Sequence, residues 1–216
     1  MTLPALVILD MAGTTVEDRG QVPTAFAETL AANNIMITAD DIARVRGASK
    51  RQAIRNLLPP SDAAQADRVY AEFGAHLSAA YAASGVRPVP GAELVMRELR
   101  SRGIKVALTT GFDHNIATLL LSALGWMHDT VDAVVCGDDV SNGRPAPDMI
   151  LLAMKLAGVE SPAAVANVGD TTSDLESAAR AGVRWNVGVL SGAHAREALE
   201  RAPHTHIIQS VADLRF

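Results

Sequence analysis

The feature that most constrains the fold of this chain is a regular alternation of short apolar runs with longer helical patterns. The first run, ALVILD at residues 5–10, is rich in branched aliphatic residues and is typical of a strand buried on both faces of a parallel sheet. Four similar runs and a weaker sixth follow at 106–110, 131–137, 164–170, 186–190 and 205–210. The alternation predicts an α/β fold, in which helices cover both faces of a doubly wound parallel sheet.

Residues typical of helix starts and stops support the predicted helices between these strands. After the second strand, Asp113 is placed as an N-cap and Gly125 as a C-terminal stop. After the fourth strand, Ser173 and Glu176 fit a capping box and Gly182 fits a stop. We therefore expect these two helices to begin directly after their strands.

The segment 16–88 departs from the alternation. It is a succession of helix patterns without a convincing strand, and it closes with VRPVPGA, whose prolines and glycine are typical of a hinge. We therefore expect a helical cap at 16–88, inserted into an α/β core that is formed by residues 1–15 and 89–216.

Size and charge exclude several classes of protein. A chain of 216 residues is long enough for one sizeable core with a small insertion. Its net charge of −5, without a long run of one sign, lacks the electrostatic pattern of nucleic-acid binding. Because no apolar stretch is long enough to cross a membrane and no secretory signal is recognisable, we expect a cytoplasmic monomer or homodimer that does not bind membranes.

Three carboxylates follow the predicted strands. Asp10 ends the first strand, Asp170 ends the fourth, and Asp174 lies four residues further on, in the first turn of the next helix. In open parallel sheets, ligands bind beyond the carboxyl ends of the strands. Carboxylate oxygens are ligands that Mg²⁺ prefers, so these residues predict a Mg²⁺ site.

Groups suited to an anion are predicted at the same edge of the sheet. Thr110 and the amide of Gly111 follow the second strand, before a helix whose free N–H groups favour an anion. Arg144, in SNGRPAPDM, provides a permanent cation for phosphate oxygens. Each of these residues alone has an ordinary structural role more often than not. Their conjunction with the three carboxylates favours phosphoryl transfer.

Four motifs, DMAGTT, LTTG, GRPAPDM and GDTTSD, resemble those of the haloacid dehalogenase-like hydrolase superfamily over essentially the whole chain. The resemblance implies a Rossmann-like core, and the helical insertion resembles the mobile cap of that superfamily. It also implies that Asp10 attacks phosphorus to form an aspartyl-phosphate, which water then hydrolyses. By the same resemblance, Asp170 and the backbone carbonyl of Ala12 hold Mg²⁺ beside Asp10, Asp174 supports this site, and Thr110 grips the phosphoryl group.

Position 12 bears on the leaving group. Most phosphatases of the superfamily have an aspartate there that protonates the departing alkoxide, whereas this chain has Ala12. Loss of such an acid removes roughly 10²- to 10⁴-fold of rate. DMAGTTVED resembles the first motif of the phosphonatase branch, which cleaves a carbon–phosphorus bond and also has alanine here. Arg144 stands where many members have lysine, a departure shared with that branch.

Carbon–phosphorus cleavage requires an electron sink, which a lysine supplies when it forms an iminium with a substrate aldehyde. In VRGASKRQAIRNLL, Lys50 resembles the Schiff-base lysine of the phosphonatase branch. Nearby arginines, among them Arg46, are expected to lower the pKa of Lys50, and Arg46 is expected to bind the anionic substrate. The alternative is that Lys50 only binds anions, as basic cap residues of phosphoester-cleaving relatives do.

Two departures from the phosphonatase pattern keep other functions open. Ala53 stands where that branch has a histidine, and Phe112 replaces a tyrosine. We therefore predict a Mg²⁺-dependent hydrolase that acts on a small phosphonate, such as phosphonoacetaldehyde, or on a phosphorylated metabolite. The alternative enzyme is a phosphate monoesterase of phosphoglycolate or sugar-phosphate type. Outside enzymes, the alternative is a catalytically weak binding or regulatory protein.

Overall fold

The computed structural model describes residues 3–36, 38, 41, 49–58, 64–126 and 130–216. Within them, six parallel strands form one sheet in the order β3-β2-β1-β4-β5-β6. The strands are β1 Leu6–Asp10, β2 Lys105–Thr109, β3 Ala133–Val135, β4 Val165–Gly169, β5 Trp185–Val189 and β6 His206–Ile208. The doubly wound parallel sheet and all six of its predicted strands are confirmed, with slightly shifted bounds.

Helices connect the strands. Those of the core are Ala92–Ser101, His114–Leu124, Asp148–Ala157, Thr172–Ala181 and Arg196–Arg201. The predicted caps of the helix after β2 are confirmed, because the Asp113 carboxylate accepts the N–H of Ile116 at 3.1 Å and Gly125 ends the helix with a φ of 68°. A positive φ of this kind costs glycine little. No helix among the described residues has the length and apolarity that crossing a membrane requires.

The helix after β4 begins differently from the prediction. Its N-cap is Thr171, whose hydroxyl accepts the N–H of Asp174 at 3.3 Å while the Asp174 carboxylate accepts the N–H of Thr171 at 3.0 Å. The predicted capping box of Ser173 and Glu176 is therefore wrong, because both residues already lie inside the helix. Gly182 does end this helix, with a φ of 73°.

Strand β1 is apolar throughout because both of its faces are covered. Val7 and Leu9 belong to one apolar cluster, and Leu6 and Ile8 belong to a second cluster on the opposite face. All four side chains are fully buried. Since successive strand residues point to opposite faces, only a sheet between two helical layers buries such a run.

The insertion contributes three described helices, Gln21–Ala32, Lys50–Leu57 and Ala66–Ser84. Phe26 and Phe73 of its first and third helices pack edge to face, with ring centroids 5.8 Å apart. The helix pattern predicted at 39–47 lies almost wholly outside the described residues.

The two connections of the insertion run side by side. Val16 and Pro88 form an antiparallel bridge, and the N–H of Glu17 donates to the carbonyl of Arg87 at 2.9 Å. The Tyr70 hydroxyl accepts the N–H of Asp113 at 3.1 Å and links the inserted helices to the residues after β2. The division of the chain into a cap at 16–88 and a core stays a prediction.

Candidate active site

The order of the strands brings the predicted site residues to one edge of the sheet. Asp10 is the last residue of β1 and pairs in register with Thr109, the last residue of β2. On the other side of β1, Asp170 directly follows β4. Because the strands are parallel, their carboxyl ends meet at this edge.

Arg144 joins two of the three carboxylates. Its Nη1 lies 2.6 Å from Oδ1 of Asp10 and 2.8 Å from Oδ1 of Asp174, and its Nη2 donates to the Thr109 hydroxyl at 2.6 Å. The arginine side chain is only 6% exposed. Sequence reasoning placed Arg144 at the phosphate, and in this structure the guanidinium contacts the two carboxylates themselves.

Asp170 is held by a loop that the sequence analysis did not single out. The N–H of Ala193 donates to its Oδ2 at 2.6 Å, and the Thr14 hydroxyl donates to its Oδ1 at 3.4 Å. A Cβ atom at Gly13 or Gly192 would overlap the Asp170 carboxylate. The sequence signals were Gly13 in the turn after β1 and the SGA segment after β5, which both follow strand ends.

The close approach of Gly192 to Asp170 gives a testable prediction. Gly192→Ala should move the Asp170 carboxylate and weaken binding of Mg²⁺ at the predicted site by about 10- to 100-fold, the usual effect of disturbing the surroundings of a metal ligand. Isothermal titration calorimetry with Mg²⁺ measures this change. Gly74→Ala is the matched control, because a Cβ there has only ordinary van der Waals contact. Unchanged Mg²⁺ affinity in Gly192→Ala would show that Asp170 is not a ligand.

Both oxygens of Asp174 are occupied by protein groups. Oδ1 lies beside Arg144, while Oδ2 accepts the backbone N–H of Thr171 at 3.0 Å and the Thr171 hydroxyl at 2.6 Å. This arrangement suits the predicted supporting role better than direct binding of a metal.

Burial makes the carboxylates hard to ionise together. Desolvation raises the pKa of Asp10 to about 7, although the Arg144 guanidinium opposes the shift. Desolvation and the charges of Asp10 and Asp174 raise the pKa of Asp170 well above its ordinary value. Three buried carboxylates around one guanidinium leave an excess of negative charge, so the residues present fit a divalent cation with oxygen ligands.

The residues after β2 form the next part of the site. Thr110 is buried, and its hydroxyl accepts the N–H of Phe112 at 3.2 Å. Thr110 and Gly111 line the same cavity as Asp10. This placement suits the predicted contact with phosphoryl oxygens.

A cavity of about 240 Å³ lies between this edge of the sheet and the inserted helical segment. Its lining joins the strand-end residues and Ala12 to Lys50 and to apolar side chains that include Val22, Phe26 and Phe112. The volume suits a small molecule. The structure thus brings Lys50 of the inserted helices and Asp10 of β1 to one cavity.

Lys50 begins the helix Lys50–Leu57, and Ser49 is the N-cap of that helix. The lysine is buried, and its Nζ lies 6.0 Å from the ring centroid of Phe26. Burial lowers the pKa of Lys50 to about 8, against the opposing charges of Asp18, Asp10 and Asp170. The cause therefore differs from the expected repulsion by neighbouring arginines, of which Arg46 lies outside the described residues.

Asp18 lies at the cavity, whereas Cys136 lies in the apolar core. Asp18 lines the cavity from the linker after β1, and sequence reasoning missed it, although it is an acidic residue close to the predicted cap boundary. Cys136 is fully buried at the end of β3, and burial raises the pKa of its thiol to about 12. A thiol with this pKa is a poor nucleophile at neutral pH.

Known proteins resemble this chain in sequence and in structure. A family model described as haloacid dehalogenase-like hydrolase matches residues 4–182. A phosphonoacetaldehyde hydrolase of Bacillus cereus is 32% identical over 204 residues, which cover 86% of this chain and 75% of that protein. A hydrolase from Pseudomonas syringae superimposes with a TM-score of 0.86 at 27% identity, covering 97% of this chain and 95% of the other.

A phosphonoacetaldehyde hydrolase-like protein from Oleispira antarctica superimposes with a TM-score of 0.83 at 26% identity, covering 99% of this chain and 92% of the other. The family and these relatives identify the protein as an enzyme, a phosphohydrolase. The chain therefore belongs to the haloacid dehalogenase-like hydrolases and, within them, to the phosphonatase-like branch.

Proposed function

We propose that this phosphohydrolase cleaves the carbon–phosphorus bond of a small phosphonate aldehyde, with phosphonoacetaldehyde as the first candidate substrate. The observation that carries the proposal is the shared cavity, in which the cap presents a buried lysine to the strand-end carboxylates. Most phosphatases of the family have an acid two residues after the nucleophile, and this chain has Ala12 at that position. The names of the relatives support the same substrate.

In this proposal Asp10 is the nucleophile. Its carboxylate attacks phosphorus, and Arg144, at 2.6 Å, favours the ionised form of the carboxylate and fixes its orientation. Asp10, Asp170 and the backbone carbonyl of Ala12 would hold Mg²⁺. When bound, Mg²⁺ supplies positive charge to the phosphoryl oxygens. The Thr110 hydroxyl and the Gly111 amide bind the remaining phosphoryl oxygens.

Lys50 provides the electron sink that the leaving carbon requires. Its neutral amine condenses with the substrate aldehyde, water leaves, and an iminium forms. When Asp10 attacks phosphorus, the electron pair of the carbon–phosphorus bond moves into the iminium and gives an enamine. Protonation and hydrolysis then release the aldehyde and free Lys50, while water hydrolyses the aspartyl-phosphate. No acid at position 12 is needed for this departure.

Hydrolysis of phosphate monoesters is the second candidate function. It is favoured by Phe112, which lines the cavity with an apolar ring where the phosphonatase branch has a tyrosine. In that reaction Lys50 would bind the substrate without forming a covalent bond.

A comparison of substrates tests the proposal. Phosphate release from phosphonoacetaldehyde, phosphoglycolate and small sugar phosphates is measured with Mg²⁺ and with a chelator. We expect kcat/KM for phosphonoacetaldehyde to exceed that for the esters by at least about 10²-fold, the scale of general-acid help that an ester would lack here.

The chelator should reduce phosphate release to background, and Mg²⁺ should raise the Tm of the purified protein, which is a readout independent of activity. Faster hydrolysis of an ester would favour the monoesterase. Full activity in the chelator would contradict the Mg²⁺ site.

A further inference from the structure

Asp18 lies on the first linker, directly after the bridge between Val16 and Pro88. Its Oδ1 accepts the N–H of Gly20 at 3.1 Å and the N–H of Val22 at 3.2 Å. The carboxylate is therefore held at the start of the helix Gln21–Ala32, at the wall of the cavity that Lys50 also lines.

Four carboxylates line this cavity among the described residues, and three of them lie at the edge of the sheet, at or shortly after the ends of β1 and β4. Asp10 and Asp174 contact Arg144, and Asp170 is held by Ala193. Asp18 is the carboxylate on the cap side. Of the acidic charges that act on Lys50, that of Asp18 has the largest effect.

Formation of an iminium requires two proton transfers beside the lysine. The proton on the attacking nitrogen must reach the former carbonyl oxygen, and the resulting hydroxyl must leave as water. Ala12 has no group that can transfer a proton, and Arg144 holds its protons at any ordinary pH. A carboxylate on the cap side is the group that this chemistry needs.

Given the proposed carbon–phosphorus cleavage, we infer that Asp18 is the acid–base group that forms and breaks the iminium of Lys50. Its carboxylate takes a proton from the nitrogen after attack on the aldehyde carbon, while the former carbonyl oxygen takes up one proton from the solvent and becomes a hydroxyl. The carboxylic acid then donates its proton to this hydroxyl. Water departs, the nitrogen lone pair closes the carbon–nitrogen double bond, and Asp18 is a carboxylate again.

The test separates iminium formation from the later steps. The protein is mixed with phosphonoacetaldehyde, quenched with borohydride at successive times, and analysed by intact mass and peptide mapping. Asp18→Asn should slow the appearance of the reduced Lys50 adduct by about 10²-fold. Asparagine keeps the oxygen that accepts the N–H groups of Gly20 and Val22, so the fold should persist. Glu17→Gln is the matched control, because this neighbouring carboxylate does not line the cavity.

Chemical rescue distinguishes proton transfer from a structural role. Added formate or acetate should accelerate adduct formation in Asp18→Asn and leave the wild type unchanged. If Asp18→Asn does not fold, Asp18→Ser, which also offers an oxygen to the helix start, takes its place.

A wild type that forms no adduct contradicts the proposed carbon–phosphorus cleavage. A wild type and an Asp18 variant that form the adduct equally fast contradict the role of Asp18 alone.

Discussion

Replacement of Asp10 by asparagine is expected to lower phosphate release by at least about 10³-fold, the scale of loss when a nucleophile is removed. An amide does not attack phosphorus at a useful rate, and no second carboxylate of the cavity has the place of Asp10 at the end of β1. The wild type, quenched in acid during turnover, should carry a phosphoryl group on the peptide that contains Asp10. The variant should carry none.

The control for this experiment is Asp67→Asn, because the Asp67 side chain is 66% exposed and lies outside the cavity. Circular dichroism and Tm confirm that both variants are folded. If Asp10→Asn hydrolysed substrate within about tenfold of the wild-type rate, the loss would be far smaller than that expected for removal of a nucleophile. Asp10 would then not be the nucleophile, whatever the substrate.

Replacement of Lys50 by arginine should abolish hydrolysis of phosphonoacetaldehyde, because a guanidinium with a pKa above about 12 has no usable neutral form. The variant keeps the positive charge, so simple binding of an anion should survive. The chain has three lysines, and Lys155 is exposed, so Lys155→Arg is a direct control. Borohydride should trap the substrate on Lys50 in the wild type and in the control.

The pH dependence of trapping provides a second measurement on Lys50. The attacking amine must be neutral, and burial lowers the pKa of Lys50 from its ordinary value of 10.5 to about 8. The rate of trapping should therefore rise as the pH rises to about 8 and then level off. A rate that climbs steadily to pH 10, or full activity in Lys50→Arg, would restrict Lys50 to binding anions and favour the monoesterase.

Much of the fold follows from local sequence patterns. The apolar run that ends at Asp10 is read as a strand covered on both faces because it lacks alternation with polar residues, and the structure buries it completely. Asp113 and Gly125 mark the ends of their helix through short-range hydrogen bonds and a positive φ. The local pattern was insufficient after β4, where adjacent hydroxyl residues can each cap a helix and the structure uses Thr171.

The sequence alone determined which functional groups lie at the edge of the sheet. Parallel strands end at a common edge, so the sequence alone predicts that Asp10, Thr110 and Asp170 lie close together. Only the tertiary structure decided which groups contact one another, because those contacts join segments far apart in the chain. Arg144 reaches back to Asp10, a loop after β5 holds Asp170, and the inserted helical segment brings Lys50 and Asp18 to one cavity with them. The low pKa of Lys50 has the same origin, since desolvation depends on packing that no local sequence pattern specifies.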